Sequence, residues 1–315
     1  MRIFFAVDVH GSTATWKKWI RAPEFYKADF LMLCGDLTGK AIIPIVDRGD
    51  GTYYCFHMGR KWELRSQSEV EKMKERISAA GPYPLVCDKQ TIQELQMDQS
   101  KVMELMNKLM EERIAEWVDM LLQRVDPNKI GVLMMPGNDD EKVIDPVIKS
   151  YESDGIIWPL DKVVEVAGLE MISMEYVNPT PWNTPREASE KELKKMIEEK
   201  VNKLSDPQRA IFNFHCPPYN TMLDVCPKLD KNLKPVIAGG EIVTMHAGSK
   251  AVRKAIEKYQ PVLGLHGHIH ESSAAQKLGR TIVVNPGSEY EKGLLRGFII
   301  DISNGVVERY WKVEG

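Results

Sequence analysis

Cysteine is scarce and unpatterned in this chain. Five are present, Cys34, Cys55, Cys87, Cys216 and Cys226; the number is odd and no two have C-x-x-C spacing. That argues against a disulfide framework or a structural zinc site and points to a reducing, cytoplasmic setting. Long hydrophobic runs are lacking too. No apolar stretch approaches the length of a bilayer span. The N-terminal run Ile3–Val7 stops at Asp8, too short for a signal-peptide core, so a membrane is not an expected partner. An excess of positive charge is also missing: 42 basic against 45 acidic residues leave a net charge of −3. This disfavours a surface that holds nucleic acid through phosphate contacts, and with it a nuclease. What remains is an ordinary globular balance, 43% hydrophobic and 28% charged over 315 residues, without repeats or low-complexity tracts.

Short apolar or β-branched runs recur along the chain: Ile3–Val7, Phe30–Cys34, Gly131–Met135, Leu169–Met174, Ala210–Phe214, Pro261–Leu265, Thr281–Val284 and Gly297–Ile300. Most are continuous rather than alternating, as expected of strands buried on both faces. Helical segments lie between them, among them Thr13–Arg21, Glu187–Leu204 and Ser249–Lys258, and the end of the chain is strand after strand. The mixture predicts an α/β fold with packed sheets in one domain, 1–315.

Residues 40–126 break this rhythm. A hairpin is predicted from Ile42–Val46 and Thr52–His57 around Asp47-Arg48-Gly49-Asp50-Gly51. Two polar, Met-rich helical stretches follow, Lys61–Ala79 and Thr91–Val125, separated by Gly81-Pro82-Tyr83-Pro84. The second would project if unbroken, at roughly 1.5 Å per residue. The region reads as an inserted subdomain: a solvated flank, a cap over a site, or a contact through which two copies pair.

Chemistry-bearing residues stand at the carboxyl ends of five predicted strands, where α/β sheets form their ligand sites. These ends read Asp8-Val9-His10, Gly35-Asp36, Gly137-Asn138-Asp139-Asp140, His215 and His266-Gly267-His268-Ile269-His270. In an extended segment, residues two apart point to one side, so Asp8 with His10 and His268 with His270 can each share an ion. Imidazole with carboxylate and no thiolate suits Zn, Mn, Fe or a related divalent ion. Asp8, His10, Asp36, Asn138, His215, His268 and His270 are too many for one metal and fit two, with one aspartate bridging.

Taken in order, these motifs resemble the calcineurin-like metallophosphoesterase superfamily, whose pattern is D-x-H, G-D, G-N-H-D or G-N-H-E, a lone His, and G-H-x-H. Asn285-Pro286-Gly287-Ser288 is similar to the segment after a late strand in small prokaryotic members. The resemblance covers both ends and the middle of the chain, not the insertion. It implies a four-layer sandwich of two mixed β-sheets flanked by helices. It also implies Asp8, His10, Asp36 and His270 around one metal, and Asp36, Asn138, His215 and His268 around the other. The family's histidine after Gly-Asn, which lies near the leaving group, is Asp139 here.

The expected activity is hydrolysis of a small phosphate ester, a diester or nucleotide-like compound before a monoester. Two divalent ions (Mn first, or Fe, Zn or Ni) would generate the attacking hydroxide from water. Asn138, Asp139 and His215 are the candidate catalytic side chains. Arg186, in Thr184-Pro185-Arg186-Glu187, and His266 are candidates for touching substrate. Thr184 and Glu187 also have the spacing of a helix capping box. His57 in the hairpin and His246 before a helix carry no motif. The rival expectation is a binding protein on the same fold that uses the insertion as its contact surface.

Overall fold

The computed structural model describes residues 1–315. Two six-stranded mixed sheets form its centre. The first runs, edge to edge, Val306–Glu314, Arg296–Ser303, Arg2–Ala6, Phe30–Cys34, Gly131–Met135 and Ile156–Ile157. The second runs Ala274–Leu278, Thr281–Asn285, Leu263–Leu265, Ala210–Phe214, Leu169–Met174 and Val164–Val166. In each sheet four neighbouring strands are parallel, and the remaining two pair antiparallel.

Continuous apolar runs became strands because both of their faces are covered. In the second sheet Met171, Ile211 and Val284 enter the main core of 46 buried residues, which covers both faces of the first sheet. Their neighbours Ile172, Phe212 and Val283 join a separate core of 20 under the helices Glu190–Val201 and Lys250–Tyr259. On the far side of the first sheet, Trp16 of the Thr13–Trp19 helix stacks on Trp117 at 4.7 Å between ring centroids. The layer order is therefore helix, sheet, sheet, helix, as the family resemblance implies.

The insertion differs from its prediction. Arg60–Leu64, expected as the start of a helix, is a strand, and so is Tyr83–Cys87, expected as a breaker segment. With the predicted hairpin they build a four-stranded sheet that has its own core of Ile45, Cys55, Leu64, Val70, Met73 and Ile77. The long helix is not one rod: Asp98 breaks it, and its carboxylate accepts from the backbone of Ser100 and Lys101 to cap a new helix, Gln99–Leu122. Nor does that helix belong wholly to the insertion. Ile114, Trp117, Val118 and Leu121 lie in the main core, so its second half is the helical crossover between the Phe30–Cys34 and Gly131–Met135 strands.

Candidate metal centre

Each candidate ligand follows a strand end, and the backbone there leaves the extended region abruptly. Asp8, His10, Asp36 and His268 all have positive φ, between 40° and 68°. Non-glycine residues seldom adopt this conformation, and where they do it is characteristic of functional turns. Neighbouring glycines make room. A Cβ on Gly35 would lie 1.9 Å from His215 Nδ1, and one on Gly137 would lie 2.2 Å from an Asp36 carboxylate oxygen. Hydrogen bonds tie these strand ends to one another, and two of them, from His268 and Ser288 to Asp8, cross from one sheet to the other. His268 N–H donates to the Asp8 carboxylate, Gly267 N–H to the His215 carbonyl, and Asp139 N–H to Asp36. The Asn285 amide donates to the carbonyls of Gly267 and Ile269, and the Ser288 hydroxyl to the Asp8 carbonyl.

The result is two clusters that share Asp36. Asp8, His10, Asp36 and His270 bring ligand atoms within 4.8 Å of one another, and so do Asp36, His215 and His268. Asn138 stands beside them, its amide nitrogen donating to Asp139 and to the Thr184 hydroxyl. Six of the seven residues predicted as ligands thus come together in two clusters, and Asn138 adjoins them next to Asp139, whose N–H donates to Asp36.

The donor set fits divalent cations. Asn138 Oδ1 and His215 Nε2 are buried without a hydrogen-bond partner. His10 Nε2 faces His270 Nε2 at 3.0 Å and the Asp36 carboxylate at 3.6 Å. Lone pairs buried and aimed at one another are costly unless something positive lies between them. The electrostatics agree. Burial drives His10 well below its usual value, His268 to about 3 and His270 to about 4, so these rings are neutral donors at pH 7. Burial would depress His215 as well, but the Asp36 and Asp8 carboxylates outweigh it and raise it to about 9. Burial lifts Asp8 to about 8, whereas His215 and His10 hold Asp36 well below the carboxylate range against the same penalty.

A family model described as calcineurin-like phosphoesterase matches residues 1–272. The chain belongs to that family. Membership and the buried Asp/His cluster together support a metal-dependent phosphoester hydrolase. Among the relatives of this family member, the uncharacterised protein MJ1162 of Methanocaldococcus jannaschii is 34% identical over 158 residues, which are 49% of this chain and 63% of that protein. The match thus spans less than two thirds of that relative's length. Two crystal structures cover nearly all of the chain. One has a TM-score of 0.57 at 17% identity, over 99% of this chain and 98% of its own. The other, TT1561 of Thermus thermophilus, has 0.51 at 13%, over 99% and 97%. At these identities the likeness is one of fold. No helix is long and apolar enough to cross a membrane.

The remaining candidates fall differently. Arg186 does not face the cluster with a free guanidinium. It is 1% exposed, and its nitrogens donate to the Asp145 carboxylate and to the carbonyls of Asp140 and Glu141. Its part is to hold the 138–141 loop. The sequence missed this because an arginine after a turn reads alike in either role. The helix behind it starts later than predicted. Ser189 and Glu192 form the capping box, while Glu187 accepts from Thr180 and Thr184 in the preceding turn. His266 is fully buried, its Nδ1 within reach of the Phe214 and Cys216 carbonyls at 2.9 and 3.0 Å. That ring braces the strand ends beneath His215 and His268 and does not meet a ligand from solvent.

Two residues escaped the sequence reading. Lys40 forms an ion pair with Asp139, and Tyr290 covers the His10 ring at 4.7 Å between centroids. Neither belongs to a motif. Only their four- and five-residue distances from Asp36 and Asn285 hinted at the site.

Proposed function

We propose that the protein is a two-metal phosphodiesterase for a small ester. The observation that carries this reading is the pair of clusters sharing Asp36. Asp36, kept ionised beside the neutral rings of His10, His268 and His270 and the protonated ring of His215, whose proton a metal ion would displace, is suited to bridge two cations. Asp8, His10 and His270 would complete one position, and Asn138, His215 and His268 the other. Ions so held supply Lewis acidity to a phosphoryl group and lower the pKa of water toward neutrality. Manganese is the first choice for this nitrogen and oxygen donor set.

The protein's own residues do the rest. Asn138, anchored by the Thr184 hydroxyl, keeps its carbonyl oxygen directed inward. The Asp139 backbone N–H fixes the orientation of Asp36. Lys40 places a cation beside the cluster, where negative charge grows on a departing oxygen. A diester is preferred to a monoester because one cationic side chain suits the single negative charge of a diester better than a dianion.

The test is metal content alongside turnover of a chromogenic diester and its monoester, with Mn²⁺ present. Two ions per chain and faster diester hydrolysis are expected. Asp36→Ala should remove both ions and Asp8→Ala one. One ion per chain in the native protein, or equal losses in the two variants, would rule out the bridging assignment. Full metal loading without turnover across a broad ester panel would point instead to a binding protein.

A further inference from the structure

The insertion reaches the candidate metal centre and walls a recess beside it. Its neck is packed tightly against the His10 loop. A Cβ on Gly11 or on Gly39 would come within 2.4 Å of the Gly81 carbonyl oxygen. Ser12 donates to the Ala79 carbonyl, and the buried Arg113 ties the Gly11 carbonyl to the Ser78 hydroxyl. The base of the insertion is thereby held in a fixed place. Between it and the centre lies a cavity of about 330 Å³ lined by His10, Lys40, His57, Met58, Pro82 and Tyr290, among others. That volume is at the small end of the range for ligand sites, roughly 300–1,000 Å³.

The lining has a direction. His10 and Lys40 form the end next to the metal cluster, and exposed Glu291 lies at the rim. Met58, Pro82 and the Tyr290 ring offer apolar and flat contacts. His57 is the unusual member: it is 6% exposed, yet its Nε2 has no hydrogen-bond partner. A buried imidazole nitrogen left unpaired costs stability unless a ligand completes it.

We propose that this recess is a substrate subsite, built by the insertion, for one compact heteroaromatic group of the ester, with His57 and Met58 setting specificity. The inference rests on the phosphodiesterase reading and names the group that its substrate carries. The phosphoryl anion lies toward Lys40 and the metal ligands, and the ring lies between Tyr290 and Met58. A turn of the His57 ring would bring its unpaired Nε2 to the polar edge of that ring. An acyl chain fits poorly, because polar groups occur at both ends of so small a cavity. A second phosphate would meet the Glu291 carboxylate.

The experiment compares thymidine 5′-(p-nitrophenyl) phosphate with methyl p-nitrophenyl phosphate on Mn-loaded protein. The wild type is expected to favour the thymidine ester in kcat/KM by roughly 10-fold or more, the scale on which small pockets discriminate. His57→Ala and Ala41→Leu, the second of which fills the recess from an exposed position, should each lower that ratio by roughly 10-fold. A ratio near one in the wild type, or one that neither variant moves, would overturn the subsite. Failure to hydrolyse either ester would count against the diesterase reading alone. The subsite is then decided by equilibrium binding of thymidine 5′-monophosphate against inorganic phosphate. Tighter nucleotide binding that both variants abolish supports it, and equal affinities refute it.

Discussion

The ammonium of Lys40 closes on the carboxylate of Asp139, at the edge of the cluster formed by His10, Asp36 and His270. Asp139 stands where the family pattern has a histidine, and orienting His10 or a bound water is the role its position allows. The nearest His10 nitrogen is 3.9 Å from Asp139, beyond hydrogen-bond reach. Lys40 is the partner instead. Burial and the charge of Asp36 push Asp139 up to about 6 even with Lys40 beside it.

On the proposed function Asp139 would hold Lys40, and Lys40 would offer a positive donor to the substrate. Lys40→Met should lower kcat/KM on diesters by roughly 10²-fold, within the range of single electrostatic or proton-donating groups. The loss should be greater for an alkoxide leaving group than for p-nitrophenolate. Asp139→Asn, which leaves Lys40 without its anchor, should show the same skew to a smaller degree. Equal losses on both leaving groups would place Lys40 in ground-state binding only.

Much of this centre is legible in the sequence because its ligands come directly after strands buried on both faces. Phe30–Cys34 and Ala210–Phe214 are apolar or uncharged throughout and buried at every position, so their ends mark where Asp36 and His215 emerge. The insertion offered no such signal. Arg60–Leu64 has exposed charged residues on an edge strand, and Tyr83–Cys87 carries Pro84 on the opposite edge. Proline is tolerated there because an edge strand need not donate on both sides. Lys40 was invisible for another reason: its partner lies in a different crossover, and nothing local distinguishes it from a solvated lysine.

Metal-free protein should lose stability as pH rises through the weakly alkaline range. His215 is raised to about 9 and Asp8 to about 8, so the folded chain retains protons that the unfolded chain has already released. For His215 the contribution is fully present below the ordinary histidine value and lost as pH passes about 9. For Asp8 the folded state is penalised increasingly up to about pH 8. Both slopes have the same sign. The depressed rings of His268 and His270 are neutral in both states above pH 7 and drop out. Each retained proton is worth up to about 1.4 kcal/mol per pH unit. Chelator-treated protein should therefore show a falling Tm between pH 7 and 9.5. Metal binding near pH 7.5 should release at least one proton, seen as a calorimetric enthalpy that changes with the buffer. A flat Tm and a buffer-independent enthalpy would show that neither group retains its proton in this range.

The long helix makes a prediction about where the insertion ends. Trp117 is fully buried in the main core and stacked on Trp16, whereas Met97 is 87% and Met103 56% exposed. Trp117→Ala should cost about 3–5 kcal/mol, the usual range for a large aromatic removed from a core. Met97→Ala and Met103→Ala should stay within about 0.5 kcal/mol. Denaturant unfolding distinguishes these outcomes. A small cost at Trp117 would mean that the helix packs as a detachable part of the insertion.

Arg186 separates holding a loop from holding a substrate. Its guanidinium is sealed against Asp145 and the carbonyls of Asp140 and Glu141, and its backbone N–H donates to the Asn138 carbonyl. Arg186→Met would leave the Asp145 carboxylate without its cation and two loop carbonyls without their donors. Breaking a buried pair by removing one partner typically costs about 3–5 kcal/mol. Asp145 is partly exposed, with 23% of its side-chain surface accessible, so the lower end of that range is expected. The kinetic consequence follows from the geometry. The loop carries Asn138 and Asp139, so a looser loop misplaces groups that act on the reacting phosphoryl, and kcat should fall roughly 10-fold or more. KM should change little, because no substrate contact has been removed. Arg186→Lys should not restore kcat, since one ammonium cannot reach a carboxylate and two carbonyls in the planar arrangement that the guanidinium satisfies. A rise in KM with kcat preserved, rescued by lysine, would return Arg186 to the substrate-binding role that its place in the sequence first suggested.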